Sequence, residues 1–238
     1  MGYFHVDIDS PHAGLEIASG QSSKLTAVNV FGFNRTIATS FETIWEYGGS
    51  YPFPTSASTL SCVSDNAADT MTVLISGLDA DYAEIFDVVT LTGLTPVVTT
   101  NSFFRVNNAV ILSGSNAGNI TITHGSDVVS YIGAEIGISQ QCVYTPPAGK
   151  DLYLFRISLT SGTVNPNKYI IYRNVVTNSS GRTLRVAEAT FQNNQQNFDR
   201  QIPFKIAEKT DFSFEAKSSS GENELSIFIE TVLMDPED

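Results

Sequence analysis

Short apolar runs on alternate residues, rich in Val, Ile, Thr, Phe and Tyr, are separated by clusters of Gly, Asn, Ser, Asp and Pro along almost the whole chain. Period-two patterning commits a segment to a strand with one buried face, and turn-forming clusters between such segments fold them back on one another. The clearest runs are Met71 to Ile75, Ile85 to Leu91, Phe103 to Leu112, Asn119 to Thr123, Val128 to Ile132, Leu152 to Leu159, Tyr169 to Tyr172, Thr183 to Ala187, Phe212 to Ala216 and Leu225 to Val232. Leu152, Leu154 and Arg156 alternate with Tyr153, Phe155 and Ile157, so apolar groups fall on both faces and the strand is expected to be central. Phe212-Ser213-Phe214-Glu215 reads instead as one apolar and one wet face. Turns are expected at Ser113 to Gly118, Tyr144 to Gly149 and Asn178 to Gly181.

The expected fold is therefore all-β: an antiparallel two-sheet β-sandwich, jelly-roll-like, with at most one or two short helical turns. One such turn competes with a strand at Thr39-Ser40-Phe41-Glu42. The capping-box spacing and the helical face Phe41, Ile44, Trp45 favour a helix, while alternation of Phe41, Thr43 and Trp45 favours a strand. Residues 33–238 are assigned to a single sandwich domain. Residues 1–32, broken at Ser10-Pro11-His12 and Ser19 to Ser23, read as an extended N-terminal arm, although a strand docked on the same domain would look identical.

The 238 residues are 42% hydrophobic and 16% charged, enough apolar material for one large β domain or two small ones. A net charge of -12 sets the surface against phosphate backbones and anionic membranes, so neither nucleic acid nor membrane is an expected partner. No apolar run reaches the roughly 18 residues of a membrane span, and Met1 to Ser10 lacks a signal-peptide pattern, which predicts a chain made in the cytoplasm. The charge is uneven. Residues 1–149 hold three basic against thirteen acidic residues, whereas residues 150–238 hold ten against twelve, suggesting that the second part packs against partners while the first faces solvent.

Reactive groups are sparse. His5, His12 and His124 lie in no metal motif, and Cys62 and Cys142 read as small buried side chains. The pairs Asp7 with Asp9 and Asp79 with Asp81, and the group Asp65, Asn66, Asp69, lack the six or more oxygens of an ordered Ca²⁺ loop. No catalytic residue, metal site or cofactor is expected; an enzyme would need two of Glu42, Glu46, Glu84 and Asp87 brought face to face, as in glycosidases. The candidate interface or receptor contacts are Trp45, Tyr47, Tyr51 and Phe53, set among Gly48, Gly49, Pro52 and Pro54. The competing reading makes the same aromatics a packed lid at one end of the sandwich.

Two stretches carry a resemblance. Phe33 to Gly49, followed by Thr59-Leu60-Ser61 and Ile75 to Tyr82, and later Tyr144 to Lys150 with Phe204 to Asp211, resemble the virion-associated structural proteins of aquatic tailed phages. The resemblance covers most of residues 33–232 and implies a virion location. The expected function is thus a non-enzymatic structural protein, a capsid decoration or cement protein, with a tail or head-fibre component binding a host glycan or protein as the alternative. The implied partners are further copies of the chain, as a homotrimer, and the major capsid protein or tail and neck proteins.

Overall fold

The computed structural model describes residues 13–20, 24–162, 169–192, 195–220 and 223–235. The chain runs α1 (Ala13–Ala18), β1 (Leu25–Ile37), β2 (Glu42–Thr43), β3 (Ser58–Ser64), β4 (Thr72–Leu78), β5 (Glu84–Thr90), β6 (Val97–Phe103), β7 (Arg105–Ile111), β8 (Ile120–His124), β9 (Asp127–Ile132), β10 (Val143–Tyr144), β11 (Asp151–Ser161), β12 (Ile170–Thr177), β13 (Thr183–Phe191), β14 (Gln195–Ile206), β15 (Asp211–Ser218) and β16 (Asn223–Met234). The fold is all-β, as the alternation predicts.

One sandwich is built from the two ends of the chain. Its sheets have the orders β1-β16-β11-β14 and β10-β15-β12-β13, with β2 also pairing β15. Counting β2 and β10 as two halves of one strand position gives eight positions in chain order. The sheets then read 1-8-3-6 and 2-7-4-5, the wiring of a jelly roll, and the pairings are antiparallel. Its core gathers Leu152, Leu154, Ile157, Leu159, Phe212, Phe214, Leu225, Ile227 and Ile229. A bulge between Leu154 and Arg156 resets the parity of β11, so Leu152 and Leu154 before it and Ile157 and Leu159 after it all face inward. β11 is an interior strand, as its apolar composition predicts. The sheets close on one another at Gly32, where a Cβ would lie 2.5 Å from the Cys142 Cβ and the Ile44 carbonyl oxygen.

The second sandwich is inserted between β2 and β10. Ile44 belongs to the jelly-roll core and Trp45 already to the other, and the chain returns through Gln141, which forms an antiparallel bridge with Trp45. Two backbone bonds complete this neck: Cys142 N donates to Ile44 O at 2.9 Å and Glu46 N to Gln140 O at 3.1 Å. The inserted sheets have the orders β6-β3-β8-β9 and β5-β4-β7, around Leu60, Val73, Ile75, Phe103, Ile120 and Ile122. Each such side chain contributes about 1.5–3 kcal/mol by leaving water. Most buried apolar residues described within 33–238 thus gather in two cores; cores joined through shared strands can still unfold as one unit.

Several local expectations meet a different outcome. No helix forms at 39–43: Glu42–Thr43 take a two-residue strand, because Glu42 is buried and its carboxylate accepts bonds from Asn34 Nδ2 (3.1 Å), Ala38 N (2.8 Å) and Gly49 N (2.8 Å) instead of capping a helix. From Leu25 onward the stretch read as an arm is β1, paired with β16 of the same chain. The second face of β15 is not wet: Ser213 is buried, and Glu215 pairs with Arg173 and lies opposite Thr43. His5, His12, Asp7 and Asp9 lie outside the described residues.

Candidate interaction surface and the junction of the two cores

The aromatic group is mostly interior. Trp45 is buried, its Nε1 donating to Gly49 O at 2.9 Å, and it meets Tyr51 and Tyr47 edge-on at 5.1 and 5.2 Å. Tyr51 is buried too, with its hydroxyl donating to Val129 O at 2.9 Å, and burial pushes that hydroxyl's pKa well up. Half-buried Phe53 packs on Tyr51 with ring centres 5.0 Å apart. Tyr47 is the exposed member, at 51%, and leans toward Tyr131. Of the four candidates, only Tyr47 offers substantial outward surface; Trp45 and Tyr51 carry the entry of the chain into the inserted core.

Beside this group the two sandwiches are clamped. Arg105 on β7 donates from Nε to Asp211 Oδ1 (2.7 Å) and from Nη2 to Asp211 Oδ2 (2.8 Å) on β15, both side chains being over 90% buried. Its Nη1 reaches the carbonyls of Pro54 (2.7 Å) and Phe104 (2.8 Å), and the guanidinium lies 3.9 Å from the Phe104 ring centre. Thr145 Oγ1 donates to Asp211 Oδ1 at 2.8 Å, and Asn107 exchanges two bonds with the Thr145 backbone. The cation is thus desolvated but fully answered, which is the condition under which a buried pair holds two elements in register. Nothing in the pattern of the sequence links residues 106 positions apart.

Among the described residues, most of the other acids singled out in the sequence are committed to local structure. Glu46 accepts from Gly133 N and pairs with Arg35, Glu84 pairs with Lys150, and Asp87 accepts from Thr100 N and Asn101 N, tying β5 to β6. Asp79 Oδ1 accepts from the Asp81 and Ala83 amides, the bonding of a turn. Asp65 accepts from Asn119, and buried Asp69 from Ser64, Ala117 and Gly118. Burial alone would raise the Asp69 pKa, but these three donors hold it below its ordinary value. His124 sits half-buried at the end of β8, before the turn to β9. Cys62 and Cys142 are free and lie in different cores; burial pushes the Cys62 thiol up to about 12 and that of Cys142 well up, which leaves both as unreactive thiols.

The feature with an outward orientation is a sheet face. On β5-β4-β7 the side chains turned away from the core form three cross-strand rows: Phe86, Ser76, Asn108; then Val88, Leu74, Val110 and, through an isolated bridge, Ile138; then Thr90, Thr72 with Leu112 beside it. Phe86 (67% exposed), Leu112 (53%), Val88 (49%) and Ile138 (42%) are open to solvent, and no residue in the rows is charged. Adjacent apolar side chains left exposed on one sheet face mark a contact surface more than a packing remainder. This face lies within the acidic first part of the chain, not the neutral second part to which the charge count points. The outer face of β1-β16-β11-β14 differs: its register brings Asn29, Glu230, Arg156 and Asp199 into one row, with Arg156 paired to Asp199 and to Glu230.

No family model matches the sequence, and no curated protein is significantly similar to it. Among solved structures the chain is similar to a structure of the Gx strain of infectious bursal disease virus, at 10% identity over 90% of this chain and 73% of that one, with a TM-score of 0.28. It is similar to the VP2 subviral particle of the same virus at 10% identity over 89% and 73% of the two chains, with a TM-score of 0.25. Likeness at this level carries no argument about what the chain does.

Proposed function

We propose that the protein is a non-enzymatic structural component of a virion that acts through contact area, as a capsid decoration or cement protein. The observation that carries this reading is the pairing of an uncharged apolar sheet face, open on β5-β4-β7, with the acids Glu42, Glu46, Glu84 and Asp87 engaged in local bonds and both thiols buried. A jelly roll anchored by a long-range strand register suits a shell component, because its sheets hold their shape under load while an inserted sandwich presents surface to neighbours. The resemblance to tailed-phage virion proteins supports the same location. On the tail or head-fibre alternative, Tyr47 is the candidate aromatic with the outward surface a glycan needs.

Quantitative mass spectrometry of purified particles tests the proposal. A decoration protein is expected at a copy number that scales with the capsomers. A copy number that scales with tail symmetry moves the assignment to the fibre, and absence from particles overturns the virion reading altogether.

A further inference from the structure

We infer that Tyr47, Tyr131 and Arg35, brought together where the two sandwiches meet, bind a neutral saccharide. The inference rests on the reading of Tyr47 as an outward contact and names the ligand class of that contact. Arg35 comes from β1, Tyr47 from the neck just beyond Trp45, and Tyr131 from β9. The two tyrosine ring centres lie 5.6 Å apart with their planes at 54°, and buried Trp45 supports the Tyr47 ring edge-on at 5.2 Å. About half of the Tyr47 surface stays open to solvent, at 51%.

Arg35 is held from two sides. Its Nη2 donates to Glu46 Oε1 at 3.1 Å, and its guanidinium lies 5.3 Å from the Phe33 ring centre. The Glu46 side chain is buried, and Gly133 makes the room: a Cβ there would lie 2.3 Å from Glu46 Oε1, while Gly133 N donates to Oε2 at 3.2 Å. A buried acid thus orients an exposed guanidinium whose other N–H groups meet no acceptor among the described residues. Donors fixed in advance lower the ordering cost of a ligand, which matters most on a shallow surface. Burial, and after it the Glu46 and Asp65 carboxylates, raise the Tyr131 pKa against the opposing Arg35 charge, so its hydroxyl keeps a proton to donate.

Charge and size select the ligand. Residues 44–141 hold nine acidic residues against one basic, Arg105, and Arg105 is buried in the clamp. An anionic glycan or a nucleic acid therefore meets the negative field of the whole insertion. A cationic ligand meets Arg35, which already occupies Glu46. A protein partner needs roughly 800 Å² of its own surface covered in a stable interface, and two tyrosine rings with one guanidinium offer far less. An uncharged pyranose matches what is present. Its C–H face lies on a phenol ring, and its hydroxyls exchange bonds with two phenol hydroxyls and the free guanidinium donors.

Saturation-transfer difference NMR of the full chain tests the site, against a panel of neutral hexose and N-acetylhexosamine oligosaccharides with oligogalacturonate as the anionic control. Wild type is expected to bind a neutral member at about millimolar concentration. Tyr47→Ala and Arg35→Ala should each weaken binding at least about tenfold. Tyr131→Phe, which keeps the ring and should melt as wild type, should weaken it about threefold. Phe86→Ser, on the apolar sheet face, should bind as wild type. No binding of any neutral member, preference for oligogalacturonate, or undiminished binding in any of the three site variants would overturn the inference. Failure of the outward-contact reading has a different signature: Tyr47→Ala then loses as much stability as Trp45→Ala in a denaturant titration with no sugar present. Absence of the chain from particles would end the virion role and leave sugar binding by the purified chain intact.

Discussion

The two sandwiches bury their cores in similar ways and finish their outer faces differently: the jelly-roll sheet sets exposed Phe31 and Phe228 beside charged side chains, whereas the three rows of the inserted sheet hold no charge. On the jelly roll, the outer side of β1-β16-β11-β14 carries a row in which Arg156 is flanked by Asp199 and Glu230. On the inserted sandwich, the outer side of β5-β4-β7 carries Val88, Leu74, Val110 and Ile138 in the equivalent cross-strand position. A sheet face destined for water needs polar rows, and a row with three charged members also discourages edge and face association. On the proposed function, the face left apolar in the more acidic part of the chain is the one that meets another surface, and the jelly roll keeps the architecture.

That division depends on the clamp between the two parts, and removing it is the most damaging change expected. Arg105→Leu leaves Asp211 buried without its cation and should cost about 3–5 kcal/mol. Differential scanning calorimetry should then resolve two transitions where wild type shows one. A single unsplit transition in the variant would show that the neck, and not the ion pair, couples the cores.

Next in size is the aromatic group. Trp45→Ala opens a cavity in the inserted core and should lose about 3–5 kcal/mol by denaturant titration. Tyr47→Ala removes an exposed ring and should lose about 1 kcal/mol or less. Equal losses would place both residues in one structural role and remove Tyr47 from the candidate contact surface.

Alkaline titration reaches both cores at once. The Cys62 thiol in the insertion, at about 12 against an ordinary 9.0, and the Tyr172 hydroxyl in the jelly roll, at about 12 against 10.0, hold their protons more tightly in the folded state. Their contribution to stability is complete below about pH 9 and falls as pH rises toward 12, because the unfolded chain ionises first. Urea midpoints recorded across that window should decline, and Cys62→Val should lessen the decline. A midpoint flat to pH 12 would mean that these groups are not held neutral by burial.

The smallest effect is expected on the charged row. Arg156→Ala should leave thermal stability unchanged within error, because its partners are well exposed, at 65% for Asp199 and 45% for Glu230. It should instead promote weak association through the jelly-roll face, visible by light scattering. If scattering does not rise, the row has no role in keeping that face apart.

Much of the fold is legible in the sequence because alternation reports directly on half-buried strands. Ile120, Ile122, Leu225, Ile227 and Ile229 are spaced by two and face their cores as expected. Strands fail to stand out where the core needs few apolar contacts. β14 is an edge strand whose Gln195, Asn197, Asp199 and Arg200 point to water, and β6 presents Thr99 and Phe103 inward amid exposed Thr100, Asn101 and Ser102. The nesting of one sandwich in another leaves no local trace, since the neck at 44–45 and 141–142 consists of ordinary strand residues. For the same reason Trp45 reads equally as a contact residue or as part of a packed lid until Gln141 is seen opposite it. The apolar face is present in the sequence only as Val88 and Phe86 on the same parity, and its cross-strand rows appear once β4 and β7 are placed in register.

The proposed roles of the two sandwiches turn on which face is covered in the assembled state. Hydroxyl-radical footprinting of the chain, free in dilute solution and bound in particles, reads this directly. Phe86, Val88, Leu112 and Ile138 should lose reactivity on assembly while Phe31, Phe155 and Phe228, on the jelly-roll sheet, keep theirs. Undiminished labelling of the first four, with protection of the second three, would contradict those roles.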